Sequence, residues 1–288
     1  MEKTTKKRRF LRLKEFWRRL KKNKLAIVGL CILCFLVLVA IFADFIATHD
    51  YAEQDLLNQY KLPSKDHYFG TDKFGRDIFS RVVHGSRISL TVGFISVGIA
   101  LVFGSLIGAI AGYFSARVDN ILMRLMDILL AIPQILLAIA ISASLGTGLT
   151  NLMIAVGISS IPQYARIMRA AVLSLKDQQF IEATKAAGGS NFRTIFVHII
   201  PNCLAPIIVQ ATLGVAFAIL TAAGLSFIGL GLDPGVPEWG AMLSEGRDYI
   251  RDFPHMTLFP GLAIMITILS LNLLGDGFRD ALDPKLRD

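Results

Sequence analysis

Residues 180–201 read FIEATKAAGGSNFRTIFVHIIP, a polar, alanine-rich stretch between two long apolar segments. We expect Asp177 to cap a short helix here, because an Asx side chain accepts the free N–H groups of a first turn. Gly188 and Gly189 should end that helix, since glycine adopts the left-handed stop conformation at low cost. The pattern predicts a helix of about ten residues, near 15 Å long, whose small side chains suit docking into a groove of another protein.

The chain as a whole has the composition of an integral membrane protein. Of its 288 residues, 53% are hydrophobic and 18% are charged, and an apolar run of about 20 residues is long enough to cross a bilayer. We predict an all-α integral membrane fold with six transmembrane helices and a cytosolic helix between the fourth and fifth. The predicted spans are 25–45, 90–111, 127–144, 152–172, 205–228 and 258–274.

The distribution of basic residues predicts the orientation. Net charge is +8, and 12 of the 30 Lys and Arg residues precede Leu25. Loops rich in Lys and Arg stay in the cytosol, and a basic cluster beside a span also contacts anionic lipid. Nucleic-acid binding would need a basic surface elsewhere in the chain, and the sequence has none. The predicted parts are a cytosolic amphipathic segment (1–24), a first transmembrane helix (25–47), an extracytoplasmic loop (48–88), a core domain (89–277, with the helical loop at 177–201) and a cytosolic tail (278–288).

Two local patterns predict how the helices pack. The second span carries glycines four residues apart at Gly104, Gly108 and Gly112, and small residues at this spacing let helices approach closely in lipid. Asp127 lies near the cytosolic end of the third span. A carboxylate at membrane depth needs a partner, for which Arg124 and Arg166 are the two candidates.

No motif for catalysis or metal binding occurs. Cys31 and Cys34 lie inside a predicted span and are expected to be packing residues. The sequence has no HExxH, no GxSxG and no G-x-x-x-x-G-K-[ST], so any ATP chemistry must come from another chain. We therefore expect a non-catalytic protein with no metal site.

The stretch at 180–201 resembles the EAA loop of ABC-importer permeases. That loop has a glutamate, two small residues, a glycine six positions after the glutamate, and an apolar run ending in proline. Here these are Glu182, Ala183, Thr184, Gly188 and Pro201, with Thr184 in place of the usual second alanine.

The flanks resemble the second, C-type permease subunit of the dipeptide, oligopeptide and nickel importers. The resemblance covers nearly the whole chain. That branch usually has a glutamate shortly before LSFIGLG, where this chain has Ala222. The segments that carry the resemblance occur in order: FWRRLKKNKLAIVGL (16–30), HYFGTDKFGRDIFSR (67–81), LSFIGLGL (225–232), PEWGAML (237–243) and LNLLGDGFRDALDP (271–284).

The resemblance implies a multi-subunit machine in the cytoplasmic membrane of a bacterium or archaeon. This multi-pass chain, with both termini cytosolic, would pair with a second homologous permease. An extracytoplasmic binding protein would deliver the substrate. Two cytosolic ABC ATPases would use ATP and Mg, while this chain binds no cofactor itself. The residues implied to contact an ATPase are Glu182, Ala183, Thr184, Ala186, Ala187 and Gly188.

Three questions stay open on the sequence. The cargo is a dipeptide or oligopeptide, with nickel or another small solute as the alternative. A self-sufficient ion-coupled transporter is a less favoured class, because it needs ionisable groups deep in the membrane, and the second and fifth spans have none. In the first outer loop, contact with a partner protein and a locally hydrogen-bonded turn are equal alternatives for Gly70, Thr71, Asp72, Gly75, Arg76 and Asp77.

Overall fold

The computed structural model describes residues 14–232 and 235–282. Within these ranges the chain is helical and contains no strand, which confirms the predicted all-α class. Shorter helical turns lie at Ala43–Ile46, Leu56–Asn58, Asn191–Arg193, Thr194–Ile199, Ile200–Asn202 and Arg247–Tyr249. The helices of eight residues or more are α1 (Lys24–Ile41), α2 (Ile78–Tyr113), α3 (Ala116–Leu130), α4 (Gln134–Leu145), α5 (Leu149–Leu175), α6 (Gln179–Ala186), α7 (Leu204–Phe227), α8 (Trp239–Gly246) and α9 (His255–Leu282).

Four of these helices, α1, α2, α7 and α9, are long and apolar enough to cross a membrane. The bent pair α3–α4 makes a fifth candidate if it counts as one span. Helix α5, at 27 residues, is also long enough to cross a membrane, but it is more polar than these four helices. The predicted spans at 25–45, 205–228 and 258–274 thus coincide with apolar helices, while the count of six is not established by length and composition.

The predicted third span is not one helix. The structure breaks it at residues 131–133 and bends the two parts by 87°. Proline removes a backbone donor and disfavours helix in the residue before it, and Pro133 lies directly at the break. Helix α3 also begins at Ala116, so the residues between the second and third predicted spans are largely helical.

Helix α2 begins earlier than predicted. Residues 78–88, expected to belong to the outer loop, form its first turns. Asp77 caps the helix, since its side chain accepts a hydrogen bond from the backbone N–H of Ser80 at 2.8 Å. The indole of Trp239, on α8, donates to the carbonyl of Val82 at 3.0 Å, which fixes these first turns against α8.

Helices α2 and α5 form the centre of the bundle, and the glycine spacing explains how. A Cβ atom added at Gly104 would lie 2.6 Å from the Cβ of Tyr164, and one added at Gly112 would lie 2.8 Å from the Cβ of Val172. The predicted close approach is therefore confirmed, with α5 as the partner helix. Ala222 of α7 is buried in the adjoining apolar cluster.

Candidate functional site

Helix α6 is the element that the sequence singles out, and the structure forms it over Gln179–Ala186. The expected cap at Asp177 is wrong: the N-cap is Gln178, which makes no side-chain hydrogen bond to the first turn. The negative charge of Glu182 in the first turn favours the helix instead, because it complements the positive N-terminal end of the helix dipole.

The C-terminal end of α6 follows the prediction. Gly188 has a φ of +76°, in the left-handed region that favours glycine. Its N–H donates to the carbonyl of Lys185 at 3.0 Å, and the N–H of Gly189 donates to that of Thr184 at 3.0 Å. These two bonds make a Schellman motif, which satisfies the last carbonyls of the helix.

A single buried side chain anchors α6 to the bundle. Ile181 is fully buried in an apolar cluster that includes Ala109 of α2 and Val172 of α5. The ammonium group of Lys185 lies 5.3 Å from the ring centre of Tyr113, and the Tyr113 hydroxyl donates to the side chain of Asn191 at 2.9 Å. The helix is thus held at the end of α2 by one face.

The opposite face of α6 carries the predicted contact residues. Thr184 is half-buried, and its hydroxyl donates to the carbonyl of Phe180 at 2.8 Å. We call the exposed residues of α6 the docking face. The sequence pattern did not reveal an exposed apolar pair that follows α6 in the chain: the rings of Phe192 and Phe196 lie 4.4 Å apart and are exposed by 71% and 41%. The predicted contact residues that are exposed are Glu182, Ala183, Ala186, Ala187 and Gly188.

Two ion pairs join α5, which leads into α6, to α3. Arg166 contacts Asp127 at 2.5 Å, so the predicted partner of Asp127 is Arg166 and not Arg124. Arg169 contacts both carboxylate oxygens of Asp119, at 2.5 and 2.6 Å. This second pair is not visible in the sequence, because its members lie 50 positions apart and no local pattern links them.

The six predicted residues of the first outer loop, between positions 70 and 77, directly precede α2 and are separate from the docking face. All six are buried within this chain, where they form a hydrogen-bonded turn. One carboxylate oxygen of Asp72 accepts the backbone N–H groups of Phe74 and Arg76, at 2.8 and 3.0 Å. The guanidinium of Arg76 then pairs with Asp72 at 2.6 Å and with Glu245 at 2.5 Å. These six residues are therefore the frame of the outer loop.

An aromatic contact closes the same loop on the segment after α8. The ring of Tyr60 lies 5.2 Å from that of Tyr249 and stacks on Phe253 at 4.5 Å. Hydrogen bonding with Tyr249 and partial burial raise the pKa of the Tyr60 hydroxyl to about 12. Tyr60 therefore stays neutral at physiological pH and acts as a packing residue.

One group of side chains in the described residues has metal-binding chemistry. Ligand atoms of His49, His67 and Asp77 lie within 4.8 Å of one another, a grouping that the sequence conceals because the three residues are far apart. The carboxylate of Asp77 is already engaged: it caps α2 through Ser80, and it lies 3.0 Å from Nδ1 of His67. Hydrogen bonding accounts for the arrangement as it stands.

Comparisons with known families match both parts of the chain. The family described as "Binding-protein-dependent transport system inner membrane component" matches residues 104–288. The family described as "N-terminal TM domain of oligopeptide transport permease C" matches residues 12–63.

Among curated proteins, three relatives are similar over nearly their whole length. The dipeptide transport system permease protein DppC of Alkalihalophilus pseudofirmus is 53% identical over 95% of this chain and 90% of its own. The di/tripeptide transport system permease protein DppC of Pseudomonas aeruginosa is 46% identical over 96% and 93%. The glutathione transport system permease protein GsiD of Escherichia coli is 47% identical over 95% and 90%.

Solved structures share the fold at low sequence identity. An inward-facing MetNI methionine ABC transporter chain superimposes with a TM-score of 0.58 at 18% identity, covering 70% of this chain and 96% of the other. A chain of an amino acid ABC transporter has a TM-score of 0.53 at 16% identity, covering 70% and 94%.

Proposed function

The chain belongs to the family of binding-protein-dependent transport system inner membrane components, and we propose that it is the C-type permease subunit of an ATP-driven importer of dipeptides and oligopeptides. The observation that carries this proposal is the identity of 53% over 95% of the chain to a dipeptide permease. The other two relatives are named for di/tripeptides and for glutathione, itself a short peptide. Their names favour peptide cargo over nickel or another small solute.

The helices support a role as a passive half of a transport pathway. Helix α7 contains no Asp, Glu, Lys, Arg or His, so it offers no relay for protons or ions. An ion-coupled transporter needs such groups at membrane depth. We therefore propose that the energy for transport comes from ATP and Mg used by partner subunits, and that this chain is not an enzyme.

The docking face supports an interaction with one of two cytosolic ABC ATPases. Ala183, Ala186 and Ala187 are exposed and small, so a partner surface can approach the α6 backbone closely. Phe192, in the segment that follows α6, is an exposed apolar side chain that a partner could also contact. Because Ile181 anchors α6 to α2 and α5, a push or pull on α6 by the ATPase would reach the centre of the bundle.

We propose six spans with both termini in the cytosol: α1, α2, the bent pair α3–α4, α5, α7 and α9. This order places α6 between the fourth and fifth spans, on the same side as the basic N-terminal segment. It places the outer loop and α8 on the opposite side, where an extracytoplasmic binding protein delivers cargo. A second homologous permease would complete the pathway.

Peptide uptake tests the proposal directly. A strain that lacks this gene should lose uptake of a radiolabelled dipeptide and regain it when the wild-type gene is supplied. Nickel uptake, measured in the same cells, should be unchanged. The purified chain should hydrolyse no ATP unless its ATPase partners are added. Dipeptide uptake that does not depend on the gene, or gene-dependent uptake of nickel alone, contradicts the peptide assignment.

A further inference from the structure

A cavity of about 390 Å³ lies between α4, α5 and α7, within the proposed membrane-spanning part. Three glutamines, one from each of these helices, face it together with a serine and a tyrosine. None of its lining residues is charged. The lining residues are Val97, Gln134, Ser160, Gln163, Tyr164, Gln210, Leu213, Gly214 and Phe217.

Two of the three glutamine side chains lack a partner. The amide of Gln134 donates to the hydroxyl of Ser160 at 2.9 Å. The amides of Gln163 and Gln210 make no side-chain hydrogen bond to any of the residues that the structure describes. Gln163 is exposed and Gln210 is half-buried within this chain. Each amide has two N–H donors and a carbonyl acceptor, so both side chains are free to bind water or a polar ligand at the cavity.

One wall of the cavity is built for close approach. The hydroxyl of Tyr164 lies against α7 and donates to the backbone carbonyl of Gln210 at 3.3 Å. A side chain at position 214 would collide with that hydroxyl, so Gly214 is what allows Tyr164 to lie there. The body of Tyr164 is buried in the main apolar cluster. This contact brings α5 and α7 close together beside the cavity.

The cavity continues along α7. A second cavity of about 410 Å³ shares Gln210 and Leu213 with the first and extends to Ala205, near the start of α7. Ala205 follows directly on the segment that leads out of α6. Arg279 of α9 also lines this second cavity. The two cavities are thus neighbours along α7, with Gln210 and Leu213 between them.

We propose that Gln134, Gln163 and Gln210 form a contact site for the peptide groups of the cargo on its way through the membrane. An amide side chain pairs with both the N–H and the C=O of a peptide group, whatever the cargo's side chains. Divalent nickel would need imidazole, thiolate or carboxylate ligands, and the first cavity has none. Uncharged hydrogen bonds also hold the cargo weakly enough for it to leave, which is required of a site along a transport pathway. This inference rests on the proposed function.

Uptake by the assembled transporter in proteoliposomes tests the site. Replacing Gln163 or Gln210 by leucine should lower the initial rate of dialanine uptake about two- to tenfold each, the effect of one lost hydrogen bond. The matched control is Thr212→Val, on α7 but outside both cavities. ATPase subunits should co-purify normally with all three variants. Gln variants that transport at the wild-type rate overturn the proposal.

A charge introduced into the cavity provides a second uptake test. Gln163→Glu should raise the uptake of a lysine-containing dipeptide relative to dialanine, because the new carboxylate attracts the cationic side chain. The nearly isosteric change leaves the packing in place. An unchanged ratio of the two uptake rates contradicts contact between the cargo and this side chain.

Solvent access separates a failure of this site from a failure of the proposed function. In a variant with Cys31, Cys34 and Cys203 replaced by alanine, Gln163→Cys and Gln210→Cys should react with a polar thiol reagent in the purified complex. Phe35→Cys, on the exposed apolar surface of α1, should not. If the wild type imports no dipeptide, the proposed function fails. If the wild type imports dipeptide but the introduced cysteines at 163 and 210 are unreactive, the proposed contact site is ruled out instead.

Discussion

Arg169 of α5 and Asp119 of α3 form a two-point ion pair, with Nε–Oδ1 and Nη2–Oδ2 distances of 2.5 and 2.6 Å. The pair bridges α5, which leads into α6, and α3, the first helix of the bent pair α3–α4. Its planar geometry matches the fork of the guanidinium to both carboxylate oxygens. It therefore ties the position of α6 to that of α3.

Asp119→Asn should weaken this tie. We expect the variant to unfold at a lower temperature in detergent, with a loss of about 1 kcal/mol, because the Arg169 side chain is one-third exposed and solvent screens the pair. The matched control is Asp248→Asn, which removes the exposed pair of Arg247 and Asp248. Equal thermal stability of the Asp119 and Asp248 variants would show that the bridge contributes nothing.

Gly108→Val should disrupt the contact between α2 and α5. A Cβ atom at position 108 would lie 2.8 Å from the Cβ of Met168 and 2.9 Å from the backbone nitrogen of Arg169, so the helices would have to separate. Overpacking of this kind costs about 1–3 kcal/mol. Gly98→Ala is the control, since nothing lies within 4 Å of the added atom. Thermal unfolding in detergent compares them, and an unchanged midpoint for Gly108→Val goes against the close packing.

Gly188→Val should uncouple the docking face from the bundle without harming the bundle itself. No atom lies within 4 Å of the added Cβ, so the cost comes from the left-handed backbone, about 1–2 kcal/mol for a β-branched residue. We expect less ATPase co-purified with the tagged permease and slower dipeptide uptake. Gly188→Asn is the control, because asparagine tolerates this conformation. Normal uptake by Gly188→Val, at normal expression, would falsify the role assigned to α6.

Ala183→Asp should have a similar effect by another cause. The substitution places an uncompensated charge on the docking face, where a close partner would have to desolvate it. Co-purification of the ATPase should fall, while the permease itself folds normally, since residue 183 is exposed. Leu57→Asp makes the same kind of change on the highly exposed outer loop and should leave ATPase binding unchanged. Equal ATPase recovery from both variants argues against the docking face.

The proposed orientation predicts opposite labelling of two positions. In the cysteine-free variant, Gln59→Cys should react with an impermeant thiol reagent added to intact cells, because the outer loop lies outside. Ala187→Cys should react only after the membrane is opened. Both residues are exposed in the chain, so a lack of labelling would not be caused by burial of the cysteine. Labelling of residue 187 in intact cells would contradict the proposed topology, because α6 would then lie outside the cell, away from the ATPases.

The sequence by itself determined the features that depend on near neighbours in the chain or on the membrane as solvent. Apolar runs predict helices because no other open structure satisfies its backbone in lipid. Gly188 predicts the end of α6, since the stop conformation is a local backbone property. The spacing of Gly104, Gly108 and Gly112 predicts a close helix contact. The family motifs, which combine such local signals in order, were sufficient to predict the class of protein.

Only the tertiary structure decided which distant groups meet. Pro133 is visible in the sequence, but whether a proline kinks a span or breaks it depends on the neighbouring helices. The sequence does not show whether Arg76 is exposed or buried. The fold decides it, because Glu245, 169 positions away in the chain, pairs with it. Gln163 and Gln210 look like ordinary polar residues until α5 and α7 bring them to one cavity. The physical reason is that burial and pairing depend on three-dimensional packing, which local sequence does not encode.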